Sequence, residues 1–287
     1  ADLSAAFRIA DWSARGKYVL GALRTTARRT QAGLLAELDR AGVSYESRYI
    51  VNAVVVTGNR ALVDRISARP EVAYIGPNTV VTVPEPIITE GPSNSPTAIE
   101  WNIQKIKADQ VWSEFGVTGQ GIVVSNIDTG VQYNHPGLVQ QYRGNLGGGN
   151  FDHNYNWWDP YGVYPTAPGD SGQHGTHTMG TIVGSEDPAN PLTATNAVGV
   201  APGAKWISCM GLKGNSGTDA ELLECAEFIL APWDLSGNNP NPDKRADVVN
   251  NSWGGGPAQW WYMQLSLIHI SEPTRLLSIS YAVFCLK

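Results

Sequence analysis

Three short stretches of the chain hold side chains that could do chemistry. In VVSNIDTG, residues 123–130, an apolar run ends on Asp128. A carboxylate at such a place sits partly buried at a strand tip, where it can orient a partner side chain or cap a turn. The tripeptide DTG also occurs in aspartic proteases, whose two carboxylates share one proton. In HGTHTMG, residues 174–180, His174 opens a segment that becomes helical, and a histidine at a helix start can face strand tips. His177 stands three residues on, along the same helix face, with Asp170 shortly before His174. That set leaves a metal-dependent hydrolase open, built on His174, His177 and Asp170, although no carboxylate stands between the histidines as in a zinc-binding helix. The third stretch, VVNNSWGGG at 248–256, follows two valines with polar residues and glycines. A backbone edge of this kind can pair with an extended peptide. Peptide-bond hydrolysis needs such an edge, which holds the substrate as an added strand while a nucleophile attacks one carbonyl.

The elements that must position these residues are legible from periodicity. In 17–40, Val19, Leu20, Leu23, Ala27, Leu34, Leu35 and Leu38 recur at helical spacing, and Gly42 can end the helix. Residues 43–57 are rich in Val, Ile and Tyr and predict two strands or one long bent one. A short helix follows over 59–69, with Leu62, Val63 and Ile66 on one face, then a strand over 71–76 with Val72, Tyr74 and Ile75. This is a small α+β unit. Residues 84–99, with Pro84, Pro86, Gly91, Pro92 and Pro96, have the composition of a linker. The second unit opens near Trp101 with a helix over 105–115. It continues with strands over 121–127, 204–210 and 246–250 and helices over 174–184 and 218–231. Thr218 or Asp219 would start the last helix, and Leu222, Leu223, Ala226, Ile229 and Leu230 would pack it on a sheet. Strands alternating with helices predict an α/β fold, a parallel sheet covered on both faces, with its sites at the strands' carboxyl ends.

Bulk composition narrows the function class. The 287 residues are 42% hydrophobic and 16% charged, enough for a folded core. The net charge of −6 gives no reason to expect nucleic acid as a partner. Residues 1–83 carry eleven Arg/Lys against seven Asp/Glu, while 84–264 carry seven against eighteen, so the two units should attract one another. No apolar run is long enough to predict a membrane span. Residues 1–10 contain Asp2 and Arg8 and no apolar signal core, so either the protein is cytosolic or a secretion signal would lie outside this sequence. Of the three cysteines, Cys209 and Cys225 could form a disulfide or stay as two buried thiols. Exposed aromatic residues over 151–164 could shape a surface loop or stack on sugars.

Taken together, Asp128 in DTG, His174 in HGTHTMG, Asn251-Ser252-Trp253-Gly254 and GVAPGAK at 199–205 resemble the blocks of subtilisin-like serine proteases, in that family's order. NNSWG and the aromatic segment around Trp157 and Trp158 are similar to those of the bacillopeptidase F-like subgroup. Residues 1–83, with a core of about 17–83, resemble the ferredoxin-like inhibitory prodomain of the family. The resemblance implies a subtilisin-like peptidase domain over 100–264 and polypeptide substrates. It also implies a prodomain acting in cis as inhibitor and folding aid, a secreted or cell-envelope location and a monomer. Asp128 and His174 would be catalytic, and Asn251, Ser252, Trp253 and Gly254 would bind substrate. The chemistry would need no cofactor; structural calcium is compatible with the family, but Gly137 stands where its common strong site uses an Asp. The family's GTSMA-type serine block and its oxyanion-hole asparagine do not occur in the chain. Residues 265–287 resemble a sequencing adapter translated in frame and are set aside from the fold. The 287 residues would therefore form an inactive fragment of a protease precursor, or alternatively a subtilase-like protein that binds peptides without cleaving them.

The linker composition between two oppositely charged units predicts a maturation cut between about residues 83 and 99. N-terminal sequencing of the mature protein reads it directly, and a first residue outside that window would refute it.

Overall fold

The computed structural model describes residues 1–83 and 99–254. The expected linker, apart from Ile99, and the tail over 265–287 lie outside the described residues, as does the end of the glycine run at 255–256.

The first helix, α1 (Trp12–Arg40), is longer than the apolar pattern alone required. Asp11 caps it, its side chain accepting from the Ala14 N–H, and Gly42 follows at φ +63°. Its buried face is Gly16, Val19, Leu20, Leu23, Ala27, Gln31, Leu34 and Leu38. The strands β1 (Tyr45–Arg48) and β2 (Ala53–Val56) form an antiparallel hairpin, so the 43–57 run resolves into two strands. With α2 (Arg60–Ser67) they close a core of Leu34, Leu38, Leu62 and Ile66, against which Val43, Val54, Val56 and Val72 pack. Val63 faces outward, not inward as its spacing suggested. The strand expected over 71–76 is absent. Val72 joins the core, but Tyr74, 59% exposed, and Ile75 have no neighbouring strand to pair with. The strand forms later instead, as β3 (Val80–Thr82), and its partner belongs to the other unit.

In the second unit the expected helix over 105–115 is two helices, α3 (Trp101–Lys105) and α4 (Ala108–Phe115). They break at Lys107, which takes a left-handed φ of 61°. Next come β4 (Val123–Asp128), a small hairpin of β5 (Asn145–Gly147) and β6 (Asn150–Phe151), and β7 (Trp157–Trp158). The remaining elements are α5 (His174–Val183), β8 (Lys205–Met210), β9 (Ser216–Thr218), α6 (Asp219–Leu230) and β10 (Val248–Asn250). The central sheet is parallel in the order β10-β4-β8-β7. Val124 and Trp206 share one face with Met179 and Val183 of α5, while Ile127 and Ile207 share the other with Leu222, Phe228 and Ile229 of α6. Helices thus cover both faces, as the alternation predicted. Thr218 and Glu221 form a reciprocal capping box at the start of α6. Cys209 and Cys225 are disulfide-bonded, tying α6 to β8 and closing the alternative of two thiols. Trp157 is fully buried, and the Trp158 indole donates to Glu224 at 2.7 Å, so these two rings are not free to stack on sugars.

The N-terminal unit docks on α6. Val19, Leu23 and Ile50 pack with Leu223, Ala226 and Leu230. Arg48 pairs with Glu224, and Glu227 accepts the backbone N–H groups of Tyr49 and Ile50. At the far end the Arg245 guanidinium lies 3.4 Å over the Trp12 ring and donates to the Trp12 carbonyl. The opposite charges of the two units therefore meet, at Arg48 and Glu224.

Glu227 is 5% exposed, and burial pushes its carboxyl up to about 7, against the opposing pull of the two backbone N–H groups and Arg48. A carboxyl whose folded value lies above its unfolded one binds more protons when folded. Its contribution is therefore intact below the ordinary glutamate range and lost as pH rises toward about 7. Docking of the N-terminal unit should weaken over that window by on the order of 3 kcal/mol. Glu227→Gln should flatten the dependence, read as urea unfolding midpoints between pH 4.5 and 7.5; equal slopes in both proteins would reject this origin.

Candidate active site

Asp128 ends β4, with its side chain fully buried. It is satisfied completely: Oδ1 accepts from the Thr129 N–H at 2.7 Å and from His174 Nδ1 at 2.8 Å, and Oδ2 accepts from the Thr178 hydroxyl at 3.0 Å. With Nδ1–H donating to the carboxylate, Nε2 is the basic nitrogen of His174. The imidazole side chain is 21% exposed. Its pKa is raised, first by the hydrogen bond to Asp128; burial opposes this, and the charges of Asp128 and Asp170 add to it. A buried carboxylate behind a half-buried imidazole makes a general base whose charged form is stabilised.

Two close backbone approaches bring the pair together. His174 is the first residue of α5, after Gln173 at φ 67°. A side-chain carbon at Gly175 would lie 2.0 Å from the Gly130 carbonyl, and one at Gly130, itself at φ +102°, would lie 2.0 Å from the Gly169 carbonyl. Only glycine lets strand tip and helix start meet this closely. Beneath them, Asn126 in β4 donates to the Gly175 carbonyl and to Thr178, and Ser208 of β8 donates to Asn126.

The four residues expected to bind substrate divide. Gly254 pairs in both directions with Thr82, the Thr82 N–H donating at 2.8 Å and the Gly254 N–H at 2.9 Å. Trp253 turns inward: its indole donates to the Ile127 carbonyl and packs on the core. Ser252 accepts from Asn250. Asn251 Oδ1 is buried with no hydrogen-bond partner among the described residues. The opposite wall, β9, escaped the reading of the sequence. It pairs antiparallel with β3, Val80 against Thr218 and Thr82 against Ser216, and Val83 donates to the Asn215 carbonyl at 3.0 Å. The polar, glycine-containing run GNSGT at 214–218 was the available signal. The chain's own residues 80–83 thus lie as an extended strand between two edges, with Val81 only 2% exposed.

His177 faces solvent. Asp170 is engaged by Thr129 and Thr176, so Asp170, His174 and His177 do not converge; among the described residues no three His, Cys, Asp or Glu side chains group to hold a metal. A second tripeptide of the aspartic-protease kind is present, Asp170-Ser171-Gly172. It lies beside the first, Gly130 bridging to Asp170, but neither carboxylate is hydrogen-bonded to the other. At Gly137 there is no carboxylate, and its backbone N–H and C=O are taken by His135 and Ser185, so nothing here fits calcium ligation by a side chain at that position.

Comparison with known proteins bears on the family and the fold. Residues 119–275 match the model of the subtilase family, Peptidase_S8, a stretch that runs past residue 264. Bacillopeptidase F of Bacillus subtilis (strain 168) is 38% identical over 264 residues, 86% of this chain and 18% of that protein. The minor extracellular protease Vpr of the same organism is 35% identical over 172 residues, 58% of this chain and 19% of that protein. The chain thus spans under a fifth of the length of either. The crystal structure of fervidolysin from Fervidobacterium pennivorans superposes with a TM-score of 0.53 at 20% identity, over 84% of this chain and 37% of that one. That likeness establishes a subtilisin-like fold.

Gly130→Ala should destabilise the protein by about 1–3 kcal/mol from backbone strain alone, with the clash on Gly169 adding to it. Urea unfolding measures the loss; a change within about 0.5 kcal/mol, the range of neutral surface substitutions, would show that the close approach is not required.

Proposed function

The chain belongs to the subtilase family, and on that premise we propose that it is part of the precursor of a secreted serine endopeptidase. The observation that carries this is the Asp128–His174 hydrogen bond at the end of β4, in a fold whose cleft edges already hold residues 80–83 as a strand. A substrate polypeptide would replace that segment, pairing with β9 on one side and Gly254 on the other.

The reaction is acyl transfer. His174 Nε2 takes the proton of a serine hydroxyl as its oxygen attacks the scissile carbonyl. The imidazolium, held and stabilised by Asp128, returns that proton to the leaving amine as the peptide C–N bond breaks. Water then repeats the sequence on the acyl-enzyme, freeing the acid and the serine. The serine and the oxyanion donor are to come from a Gly-Thr-Ser-like block and an Asn that the 287 residues do not include. Alone, the chain would bind an extended peptide and hold a proton without cleaving. No cofactor takes part in these steps.

Residues 1–83 are read as the inhibitory prodomain, acting in cis. Support comes from β3 in the cleft and from the apolar and charged docking on α6. Secretion and a monomeric state complete the reading; among the described residues no helix is long and apolar enough to cross a membrane.

The test is kinetic. The 287-residue chain should leave casein uncut. In the protein extended to include its serine, Asp128→Asn should lower kcat by about 10⁴-fold with KM little changed. A serine-directed inhibitor should abolish the remainder. Full turnover by the Asn variant would remove Asp128 from the chemistry.

A further inference from the structure

Asp170 is given no part in the mechanism above, yet it accepts more hydrogen bonds than Asp128 does. Its Oδ1 accepts from the Thr129 hydroxyl at 2.7 Å, the Gly172 N–H at 3.0 Å and the Gln173 N–H at 2.8 Å. Its Oδ2 accepts from the Thr176 N–H at 2.8 Å and from the Thr176 hydroxyl. The two threonines cross-link the site. Thr129, next to Asp128, accepts the Gly175 N–H of α5 at 2.8 Å. Thr176, two residues after His174, accepts the Gln132 N–H of the loop after β4 at 3.0 Å. Each hydroxyl has a single proton to give. A carboxylate can only accept, so Asp170 takes both protons and turns both hydroxyls to receive a backbone N–H from across the junction.

We propose that Asp170 is a positioning residue for the Asp128–His174 pair: it orients the two threonine hydroxyls that lock the segment after Asp128 to the first turn of α5, and it sets a second negative charge near the imidazole. This rests on the reading of Asp128 and His174 as an acid–base pair. The charged groups acting on His174 are Asp128 on β4 and Asp170 in the turn before α5. An asparagine cannot replace Asp170. Its amide nitrogen, placed at Oδ1, meets the N–H groups of Gly172 and Gln173; placed at Oδ2, it meets that of Thr176. Either way a donor faces a donor, and one threonine hydroxyl loses its acceptor.

The experiment follows the His174 ring by NMR in the 287-residue chain, assigned among its five histidines with His174→Gln. Asp170→Asn should move the ring's titration midpoint down and speed solvent exchange of its Nδ1 proton, in a protein that still unfolds cooperatively. Asp128→Asn is the reference. If it lowers the midpoint while Asp170→Asn leaves both readouts unchanged, the role of Asp170 is overturned and the pair stands. If neither substitution moves the ring, the reading of the pair fails as well. Should Asp170→Asn not fold, Thr129→Val keeps every charge and cuts one cross-link. Faster Nδ1 proton exchange in it supports the proposal, and wild-type exchange overturns it.

Discussion

A fully buried carboxylate at the tip of a parallel strand is the constraint around which the described structure is arranged. Removing an ionised group from water is costly unless every lone pair finds a donor. Asp128 finds three, and all come from its own following residue or from α5. The helix must therefore begin against the strand tip. That demand explains Gly130 and Gly175, which let two backbones meet where any side chain would collide. It also explains the buried polar residues of a strand that would otherwise be purely apolar: Asn126 anchors α5 from below and is itself anchored by Ser208. The acid–base geometry is a by-product of satisfying this one charge.

The second organising feature is that the two units complete one another. The N-terminal unit has its own small core, but its docking helix, its hairpin turn and its last strand all find partners beyond residue 99. The contacts are of different kinds. Apolar packing on α6 is insensitive to salt and pH. The Glu227 carboxyl, buried among backbone donors, is sensitive to pH. The Lys17–Asp243 pair is exposed on both sides and contributes little. The disulfide fastens α6, the helix that carries most of this interface, to the central sheet.

Local chemistry set much of this in advance. The apolar spacing in α1, the buried runs of β4 and β8 and the capping residues of α6 are all properties of neighbouring residues, and local pattern reports them directly. Asp128 alone could as well cap a turn; it stands out beside the more specific HGTHTMG block of His174, and only the two blocks together carry the resemblance. The match over residues 119–275 bears out the family. Tertiary contacts decided the rest. Tyr74 and Ile75 have strand-forming side chains, but a strand exists only where a neighbour offers a backbone edge, and the edge of β9 lies opposite residues 80–82. His177 has helical spacing relative to His174, yet which face of α5 is covered depends on what packs there. Asp170 read as a possible metal ligand because composition and spacing count carboxylates without counting the hydrogen bonds that will occupy them. The sequence by itself determined most of the helices, the buried strands of the central sheet, the two catalytic candidates and the family; the tertiary structure alone decided which backbone edges meet and which charges are buried, because hydrogen-bond partners distant in the chain cannot be read from periodicity.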